Sequence, residues 1–500
     1  MTVTLKGHDY KYAVEQMLLT LFPEERPTYG AREENRVTVS LSRGNTWLTA
    51  AAVLHWKGRL TRHTCRAKAA ELTGEALHDG RVCQRIVKLA FYRAGVEALG
   101  KEPPWGAMTG VRPVKIPTKA MLAGATPAQA KRLLRGAYRV TPLRAQLAVD
   151  CAQASLAVQR TLRPDEISLY VGIPFCPTRC AYCSFISADV KHALKLIDPY
   201  VDALIREIEA AGRALSAAGL AVRSVYFGGG TPTTLSAGQL DRVLSAIEER
   251  IGLERCGEYT VEAGRPDTIT REKLDVLRRH GVGRLSVNPQ TMEDSVLRAM
   301  GRAHTAREIE EACALVRATG DFWINMDLIA GLPADSPEGF RRTLDKVLSL
   351  GPENITVHTL ARKRGAALTA GESPCPFPGP EEVAEMLEYA WVRLRPAGYA
   401  PYYLYRQKFM SGSFENVGWC QPGRESLYNI CMMEELQPIL SLGSGGVTKL
   451  VDTRAGSIRR RANPKYPQEY IARIDQICQE KEELSWPTSC KRSTAASGTM

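Results

Sequence analysis

Short apolar strands alternate with amphipathic helices between residues 166 and 357, and this alternation constrains the fold more than any other feature. Such an alternation predicts a parallel sheet whose crossovers are helices. Helix starts are marked by capping sequences at Ser236, Thr305 and Ser336, and by an Asp198–Pro199 pair. The predicted strands are 167–173, 224–227, 259–261, 284–287, 323–329 and 354–357. We therefore predict an α/β protein built on a partial (β/α)6 barrel, with its chemistry at the C-terminal ends of the strands.

The rest of the chain divides by composition into flanking segments. The N-terminal part shows a short strand, a helix, a hairpin and two further helices near 67–78 and 83–99, and it carries no chemical motif. The predicted divisions are an N-terminal α+β domain at 1–115, a helical linker at 116–165, the barrel at 166–365, a mostly helical C-terminal substrate or lid domain at 366–485, and a disordered tail at 486–500.

Composition and charge indicate in which compartment the protein acts and which kinds of partner it binds. No apolar run approaches the ~20 residues of a membrane span, and the first residues lack the layout of a signal peptide. The 13 cysteines are scattered, which favours a reducing compartment over a disulfide framework. The net charge of +12 is spread over 66 basic and 54 acidic residues without a nucleic-acid-binding pattern. We therefore expect a cytoplasmic protein with no membrane span and no nucleic-acid partner.

Three cysteines follow the first predicted strand closely. Cys176, Cys180 and Cys183 have the spacing Cys-x3-Cys-x2-Cys. Three thiolates on three irons of a [4Fe–4S] cluster leave the fourth iron with an open position. The amino and carboxylate groups of S-adenosylmethionine could chelate that iron. The alternative is a structural zinc site of the Cys3His type, with His192 as the fourth ligand.

Glycines and a carboxylate end the next two strands. The second strand leads into Gly228-Gly229-Gly230-Thr231, where the glycines let the backbone approach a ligand as closely as an amino-acid head group requires. An ordinary turn is the alternative. The third strand ends at Glu262, which could pair with a cation, hold ribose hydroxyls or lie on the surface.

Polar residues continue this series along the chain. Gln290 supplies an amide able to bond a ribose. Arg302 supplies a guanidinium, the group best suited to a carboxylate. Asp327 lies inside the apolar fifth strand, so its burial requires donors, either ribose hydroxyls or an internal salt bridge.

In combination, these motifs resemble the radical S-adenosylmethionine superfamily, in particular the oxygen-independent coproporphyrinogen III dehydrogenase family, over about residues 166–450. The N-terminal extension and the segment Tyr403–Lys408 look like a divergent Firmicute-type branch of that family. The resemblance implies that the three cysteines bind the cluster and that Tyr170 and Arg302 act in catalysis. Contacts to S-adenosylmethionine are implied for Tyr170, Tyr182, Gly229, Gly230, Thr231, Glu262, Gln290, Arg302 and Asp327.

The resemblance also implies a reaction. The reduced cluster would cleave S-adenosylmethionine, and the resulting deoxyadenosyl radical would take a hydrogen from the β-carbon of a propionate. Loss of CO2 and one electron would leave a vinyl group, converting coproporphyrinogen III to protoporphyrinogen IX in haem biosynthesis. A flavodoxin or ferredoxin would supply electrons. Cationic anchors for this tetracarboxylate are expected in Arg362–Arg364 and in Arg406 and Lys408, unless these are solvated basic loops.

Two positions depart from the family pattern and weaken the substrate assignment. Gly172 stands where well-studied members carry His, and Phe185 stands where they carry a fourth Cys. Phe185 is similar to the haem-chaperone branch of the family. A haem-binding chaperone without decarboxylase activity, and a radical enzyme acting on another tetrapyrrole, are therefore the alternative functions.

Overall fold

The computed structural model describes residues 1–30, 33–184, 188–361, 366, 368, 375–407 and 411–490, leaving aside the side chains of 188–192, 411 and 488. Two compact units are distinguished. One consists of residues 1–149 together with Arg406–Phe414. The other consists of residues 150–405 and the chain from Glu415 onward. The domain bounds expected from composition stay predictions.

The first unit is an α+β fold with a four-stranded sheet of order β1-β2-β3-β4. Its first strand pairs parallel with the second, and the other pairs are antiparallel. The strands are β1 Thr2–Lys6, β2 Arg36–Arg43, β3 Trp47–Trp56 and β4 Arg59–Lys68. The helices are α1 Lys11–Leu21, α2 Ala76–Leu99, α3 Lys115–Leu122, α4 Pro127–Ala137 and α5 Pro142–Gln159, which continues into the second unit.

The prediction of two helices near 67–78 and 83–99 is wrong in its first half. Residues up to Lys68 belong to β4, Ala69–Glu71 form a single 3-10 turn, and one helix, α2, runs from Ala76 to Leu99. The strand was missed because its buried positions are Thr61, Cys65 and Ala67, which alternate with polar residues but are themselves weakly apolar.

The second unit contains an eleven-stranded sheet in which seven consecutive strands run parallel. Its order is β13-β14-β12-β11-β10-β9-β8-β5-β15-β16-β17. The central strands are paired parallel throughout. The strands of the sheet are β5 Glu166–Ile173, β8 Ala221–Gly229, β9 Glu258–Glu262, β10 Arg284–Ser286, β11 Trp323–Ala330, β12 Asn354–Thr359, β13 Ala400–Arg406, β14 Glu415–Cys420, β15 Ile439–Gly443, β16 Val447–Asp452 and β17 Ser457–Ala462. Two short strands, β6 Phe175–Cys176 and β7 Ala188–Asp189, pair with each other in a separate sheet. The predicted set of six parallel strands is confirmed.

Helices connect the parallel strands as predicted. The capping hydrogen bonds expected at Ser236, Thr305 and Ser336 are present, and in each the backbone N–H three residues on donates to the side-chain oxygen. The helices of this unit are α6 Val190–Ala218, α7 Ala237–Ile251, α8 Arg271–Arg279, α9 Asp294–Ala299, α10 Ala306–Thr319, α11 Pro337–Leu350, α12 Pro380–Leu394, α13 Leu427–Glu434, α14 Pro467–Ala472 and α15 Ile474–Glu482.

The first crossover helix does not begin where the Asp-Pro pair predicts. Instead, α6 begins at Val190 and continues through Pro199. The Asp198 carboxylate accepts a hydrogen bond from the Gln239 side chain at 2.7 Å rather than capping its own helix. An Asp-Pro pair is therefore compatible with a helix interior when the carboxylate has another partner.

The C-terminal part of the chain is not mostly helical, contrary to the prediction. Strands β13 and β14 extend the sheet beyond β12, where β14 pairs antiparallel, and β15 pairs parallel with β5 at the other side. The predicted disordered tail is described as far as Cys490, which is buried. Residues 491–500 lie outside the described residues. No helix in the described part of the chain is long and apolar enough to cross a membrane.

The two faces of the parallel strands differ in chemistry, since successive side chains point to opposite sides. The odd-numbered residues of β5, Ile167, Leu169 and Val171, are fully buried and apolar. The even-numbered residues are polar or small, and the hydroxyls of Ser168 and Ser224 bond each other at 2.7 Å between β5 and β8. The polar face is the barrel interior, where the functional residues described below lie.

Candidate cofactor and active site

Cys176 lies against the glycine-rich turn that follows β8. The Thr231 hydroxyl donates to its Sγ at 3.5 Å. A Cβ on Gly230 would stand 3.0 Å from this sulfur and 2.5 Å from the Phe175 carbonyl oxygen, so only glycine fits there. Gly229 has a φ of +109°, which side chains rarely adopt. Two segments that are far apart in sequence thus meet at one thiol, as their placement after adjacent strands predicts.

The other two cysteines belong to a tight turn beside Arg302. The Cys183 amide donates to the Cys180 carbonyl at 3.0 Å. The Arg302 guanidinium is buried, and its Nη1 is 4.0 Å from the Cys180 sulfur and 2.8 Å from the Tyr182 hydroxyl. Burial raises the pKa of Tyr182. The turn thus places a buried cation beside one of the three thiols.

Arg302 is held by protein groups on every side. Its Nη2 donates to the carbonyls of Gly264 and Asn288 at 3.1 and 2.7 Å, and its Nε donates to His304 Nε2 at 3.2 Å. Burial and the neighbouring guanidinium lower the pKa of His304 to about 4, so the imidazole is neutral. The sequence predicts that this guanidinium binds a carboxylate. In the structure, four protein groups and the Cys180 thiol hold it beside the cysteine turn.

Glu262 lies in the barrel interior beside the side chain of Tyr226. It accepts a hydrogen bond from the Tyr226 hydroxyl at 2.6 Å. Burial and the charge of Asp327 raise the pKa of Glu262 to about 7, although the Tyr226 hydrogen bond acts in the opposite direction. Glu262 is thus a carboxyl group that gains or loses its proton near neutral pH, and it is not the ordinary surface residue that was one alternative.

Tyr170 and Tyr226 face each other across β5 and β8, where they are paired in register. Their rings are stacked, with centroids 6.4 Å apart and planes inclined by 14°. Burial raises the pKa of Tyr170, so its hydroxyl remains protonated. Tyr170, predicted from the motif, and Tyr226, which the sequence analysis missed, form an aromatic wall next to Glu262.

Asp327 finds the donors that its position inside a strand requires. Asn325 Nδ2 donates to Oδ1 at 2.9 Å, and His358 Nε2 is 3.7 Å from Oδ2. Although burial raises the pKa of Asp327, its interactions with His358, Asn325 and Thr356 bring that pKa below its usual value. Asp327 is therefore ionised at neutral pH. His358, at the end of β12, is a second interior residue that the sequence analysis missed.

Gln290 is joined to the same strand by its backbone. Its amide donates to the Asp327 carbonyl, and its carbonyl accepts from Ile329, both at 2.9 Å. Its φ of +68° is unusual for a residue with a side chain and costs about 1 kcal/mol or more. Such strain at a strand end is typical of functional positions. The structure thus brings Gln290 and Asp327 together.

The position of Gly172 has a structural explanation. A Cβ there would stand 2.8 Å from the Ser444 carbonyl oxygen in the turn after β15. The Tyr200 hydroxyl donates to the Gly172 carbonyl at 2.6 Å and accepts from the Ser444 amide at 2.8 Å. The space a histidine would need is therefore filled by main chain. Phe185, the other departure, lies outside the described residues.

The expected cationic substrate anchors are corrected in part. Arg406 is buried within the first unit, where it donates to the Met108 and Ser413 carbonyls at 2.6 and 2.8 Å. It is therefore a structural residue. Arg362–Arg364 and Lys408 lie outside the described residues.

The zinc alternative requires ligands that converge on a single ion. Among the side chains that the structure describes, no three His, Cys, Asp or Glu residues converge closely enough to hold a single metal ion. The side chain of His192 is outside that set. The ligands of a cubane cluster, by contrast, each bind a different iron and need not converge on one point.

Comparison with known proteins identifies the family. A model of the radical SAM superfamily matches residues 170–347. The chain is 37% identical over 489 residues to the oxygen-independent coproporphyrinogen-III oxidase-like protein HemZ of Bacillus subtilis, covering 96% of this chain and 97% of that protein. The chain belongs to the radical S-adenosylmethionine superfamily. Within it, the chain is a member of the oxygen-independent coproporphyrinogen III oxidase family, as its motifs predict.

Two further relatives cover the barrel region and differ in their names. The heme chaperone HemW of Lactococcus lactis is 31% identical, covering 57% of this chain and 70% of its own. The coproporphyrinogen III oxidase HemN of Escherichia coli, a radical SAM enzyme of known structure, is 27% identical with a TM-score of 0.51, covering 65% of this chain and 72% of its own. Both support the fold, and they leave open which activity this member has.

The family uses a [4Fe–4S] cluster and S-adenosylmethionine, and the residues present fit both groups. Three thiols on one loop supply the donors that a cluster with one open iron requires. Gly230 lets the glycine-rich turn approach Cys176 closely, so the turn lies directly beside a cluster ligand. The polar side chains of the interior next to Tyr170 offer hydrogen-bond partners for S-adenosylmethionine, which is a zwitterionic nucleoside.

Proposed function

We propose that this protein catalyses the oxygen-independent oxidative decarboxylation of coproporphyrinogen III propionates to vinyl groups. The observation that carries the proposal is the 37% identity to HemZ, an oxygen-independent coproporphyrinogen-III oxidase-like protein, over 96% of the chain. A match of that extent includes the N-terminal unit as well as the barrel. The aromatic rings of Tyr170 and Tyr226 in the interior are consistent with the largely apolar macrocycle of this substrate.

The proposed roles of the site residues follow their contacts. The cluster ligands are Cys176, Cys180 and Cys183. The buried guanidinium of Arg302 holds the turn of the last two cysteines through its contacts with Cys180 and Tyr182. When bound, the cluster and S-adenosylmethionine supply the abstraction of a hydrogen atom, which no side chain can perform. The cofactor contacts proposed for the chain itself are Tyr170, Tyr182, Gly229, Gly230, Thr231, Glu262, Gln290, Arg302 and Asp327.

The interior carboxyl groups have different charge states. Asp327 is ionised, so it accepts hydrogen bonds from hydroxyls such as those of a ribose. Glu262, with a pKa of about 7, is partly protonated at neutral pH and both donates and accepts. The stacked rings of Tyr170 and Tyr226 lie beside Glu262. Aromatic walls of this kind limit the access of water to a reactive radical.

A haem chaperone is the second candidate, since relatives named heme chaperone HemW share 31% identity over 57% of the chain. A chaperone would take up haem stoichiometrically and release no vinyl product. The electron donor, proposed to be a flavodoxin or ferredoxin, and the cytoplasmic location remain predictions.

The test is an anaerobic assay of the reconstituted protein with coproporphyrinogen III, S-adenosylmethionine and a low-potential reductant. We expect 5′-deoxyadenosine, CO2 and protoporphyrinogen to appear together. C180S should abolish all three, whereas C313S, which changes a buried cysteine on α10, should retain them. Deoxyadenosine without CO2, or haem uptake without turnover, would refute the decarboxylase proposal and leave the superfamily membership intact.

A further inference from the structure

Tyr428, on α13, has a buried hydroxyl without a hydrogen-bond partner among the residues that the structure describes. The residue is only 3% exposed. A buried polar group without a partner is destabilising, so such groups are rare and call for an explanation. No motif in the sequence marks this residue.

The backbone of Tyr428 is fixed at the N-terminal end of the barrel strands. Glu258, the first residue of β9, accepts hydrogen bonds from the Ser426 hydroxyl at 2.9 Å and from the Leu427 and Tyr428 amides at 2.6 and 3.2 Å. The carboxylate thus caps the start of α13. Since Arg284 Nη2 is 3.5 Å from the same carboxylate, its charge is balanced.

The side chain of Tyr428 points from there into the barrel interior. Its ring is stacked on that of Tyr226, with centroids 4.5 Å apart and planes inclined by 18°, and it lies 6.3 Å from the ring of Tyr170. The Tyr226 hydroxyl reaches Glu262, the last residue of β9, about 13 Å along the strand from Glu258. The Tyr428 ring therefore packs against the aromatic residues that border Glu262.

We propose that Tyr428 is a further cofactor-contact residue, whose hydroxyl donates a hydrogen bond to S-adenosylmethionine bound beside Tyr170 and Glu262. Both neighbours are positions at which the family pattern places the cofactor. Burial raises the pKa of Tyr428 well above that of a free phenol, so it remains a donor. S-adenosylmethionine offers carboxylate, ribose and adenine acceptors, any of which satisfies the hydroxyl. The contact ties cofactor binding to the docking of α13.

The experiment measures cofactor affinity rather than turnover, and it omits the tetrapyrrole, so its outcome is independent of the decarboxylase proposal. Anaerobically reconstituted protein with an oxidised cluster is titrated with S-adenosylmethionine, and Kd is determined by equilibrium dialysis. Y428F keeps the ring and its stacking but lacks the hydroxyl. We expect its Kd to be about tenfold higher than that of the wild type.

A matched control is available on the other face of the sheet. Tyr259 is buried and its hydroxyl also lacks a partner in the described part of the chain, but as an odd-numbered residue of β9 it points away from Glu262. Y259F should therefore bind the cofactor like the wild type. Without cofactor, both variants should keep or raise Tm, because each loses an unsatisfied buried hydroxyl. The proposal is overturned if Y428F binds within twofold of the wild type, or if Y259F weakens binding equally.

Discussion

Replacing Glu262 by glutamine should reveal a buried carboxyl group that opposes folding at alkaline pH. The pKa of Glu262 is raised from 4.5 to about 7 in the folded protein. A raised pKa means that the folded state favours the neutral carboxyl, so the stability it provides is complete below about pH 4.5 and is lost as the pH rises through about 7. With about 1.4 kcal/mol for each tenfold change, ionisation costs about 3 kcal/mol.

E262Q does not titrate, so it avoids this cost. Its free energy of unfolding relative to the wild type should increase between about pH 5 and about pH 8 and then level off, with a total gain of up to about 3 kcal/mol. Urea denaturation of the cofactor-free protein, followed by tryptophan fluorescence at a series of pH values, measures this difference.

A second variant tests the cause. Because the Tyr226 hydrogen bond lowers the pKa of Glu262, Y226F should raise that pKa further and move the pH dependence to higher pH. A difference between E262Q and wild type that is constant across this range would contradict the reasoning, since it would show that Glu262 is ionised in both states.

Two further substitutions test the packing described above. G172A places a methyl group 2.8 Å from the Ser444 carbonyl oxygen and should lower the free energy of unfolding by about 1–3 kcal/mol in urea denaturation. The control G238A has open space around it in α7 and should be neutral or stabilising in the same experiment. Equal stabilities of the two variants would contradict the contact at Gly172. R406M leaves the buried carbonyl groups of Met108 and Ser413 without their donor, so it should lower Tm and reduce the free energy of unfolding by about 3 kcal/mol or more. A higher KM for the substrate at unchanged Tm would instead support the role of Arg406 as a substrate anchor.

The barrel could be predicted from the sequence because its signals are local. Capping residues such as Ser236 and Thr305 satisfy helix N-termini within three residues, and each apolar strand is bounded by turns. Residues that follow strands, such as Thr231 beside Cys176, meet because parallel strands end at one side of the sheet.

What the sequence could not predict depends on distant contacts. Strand β15 forms by pairing with β5, some 270 residues earlier, and nothing local distinguishes it from a loop. Tyr428 reaches the barrel because Glu258 holds its helix, 170 residues away. His358 could have been suspected, since it is the polar residue two positions after Thr356 on the interior face of β12, but its partner Asp327 is known only from the fold.

The central claim is that three thiolates on one loop hold an iron–sulfur cluster with an open iron, and metal analysis of the anaerobically purified protein tests it most directly. We expect about four irons and four sulfides for each chain. In C180S the iron content should fall sharply, while in C313S it should stay at the wild-type level. Zinc in place of iron and sulfide, or a C180S variant that keeps its full iron content, would contradict the account.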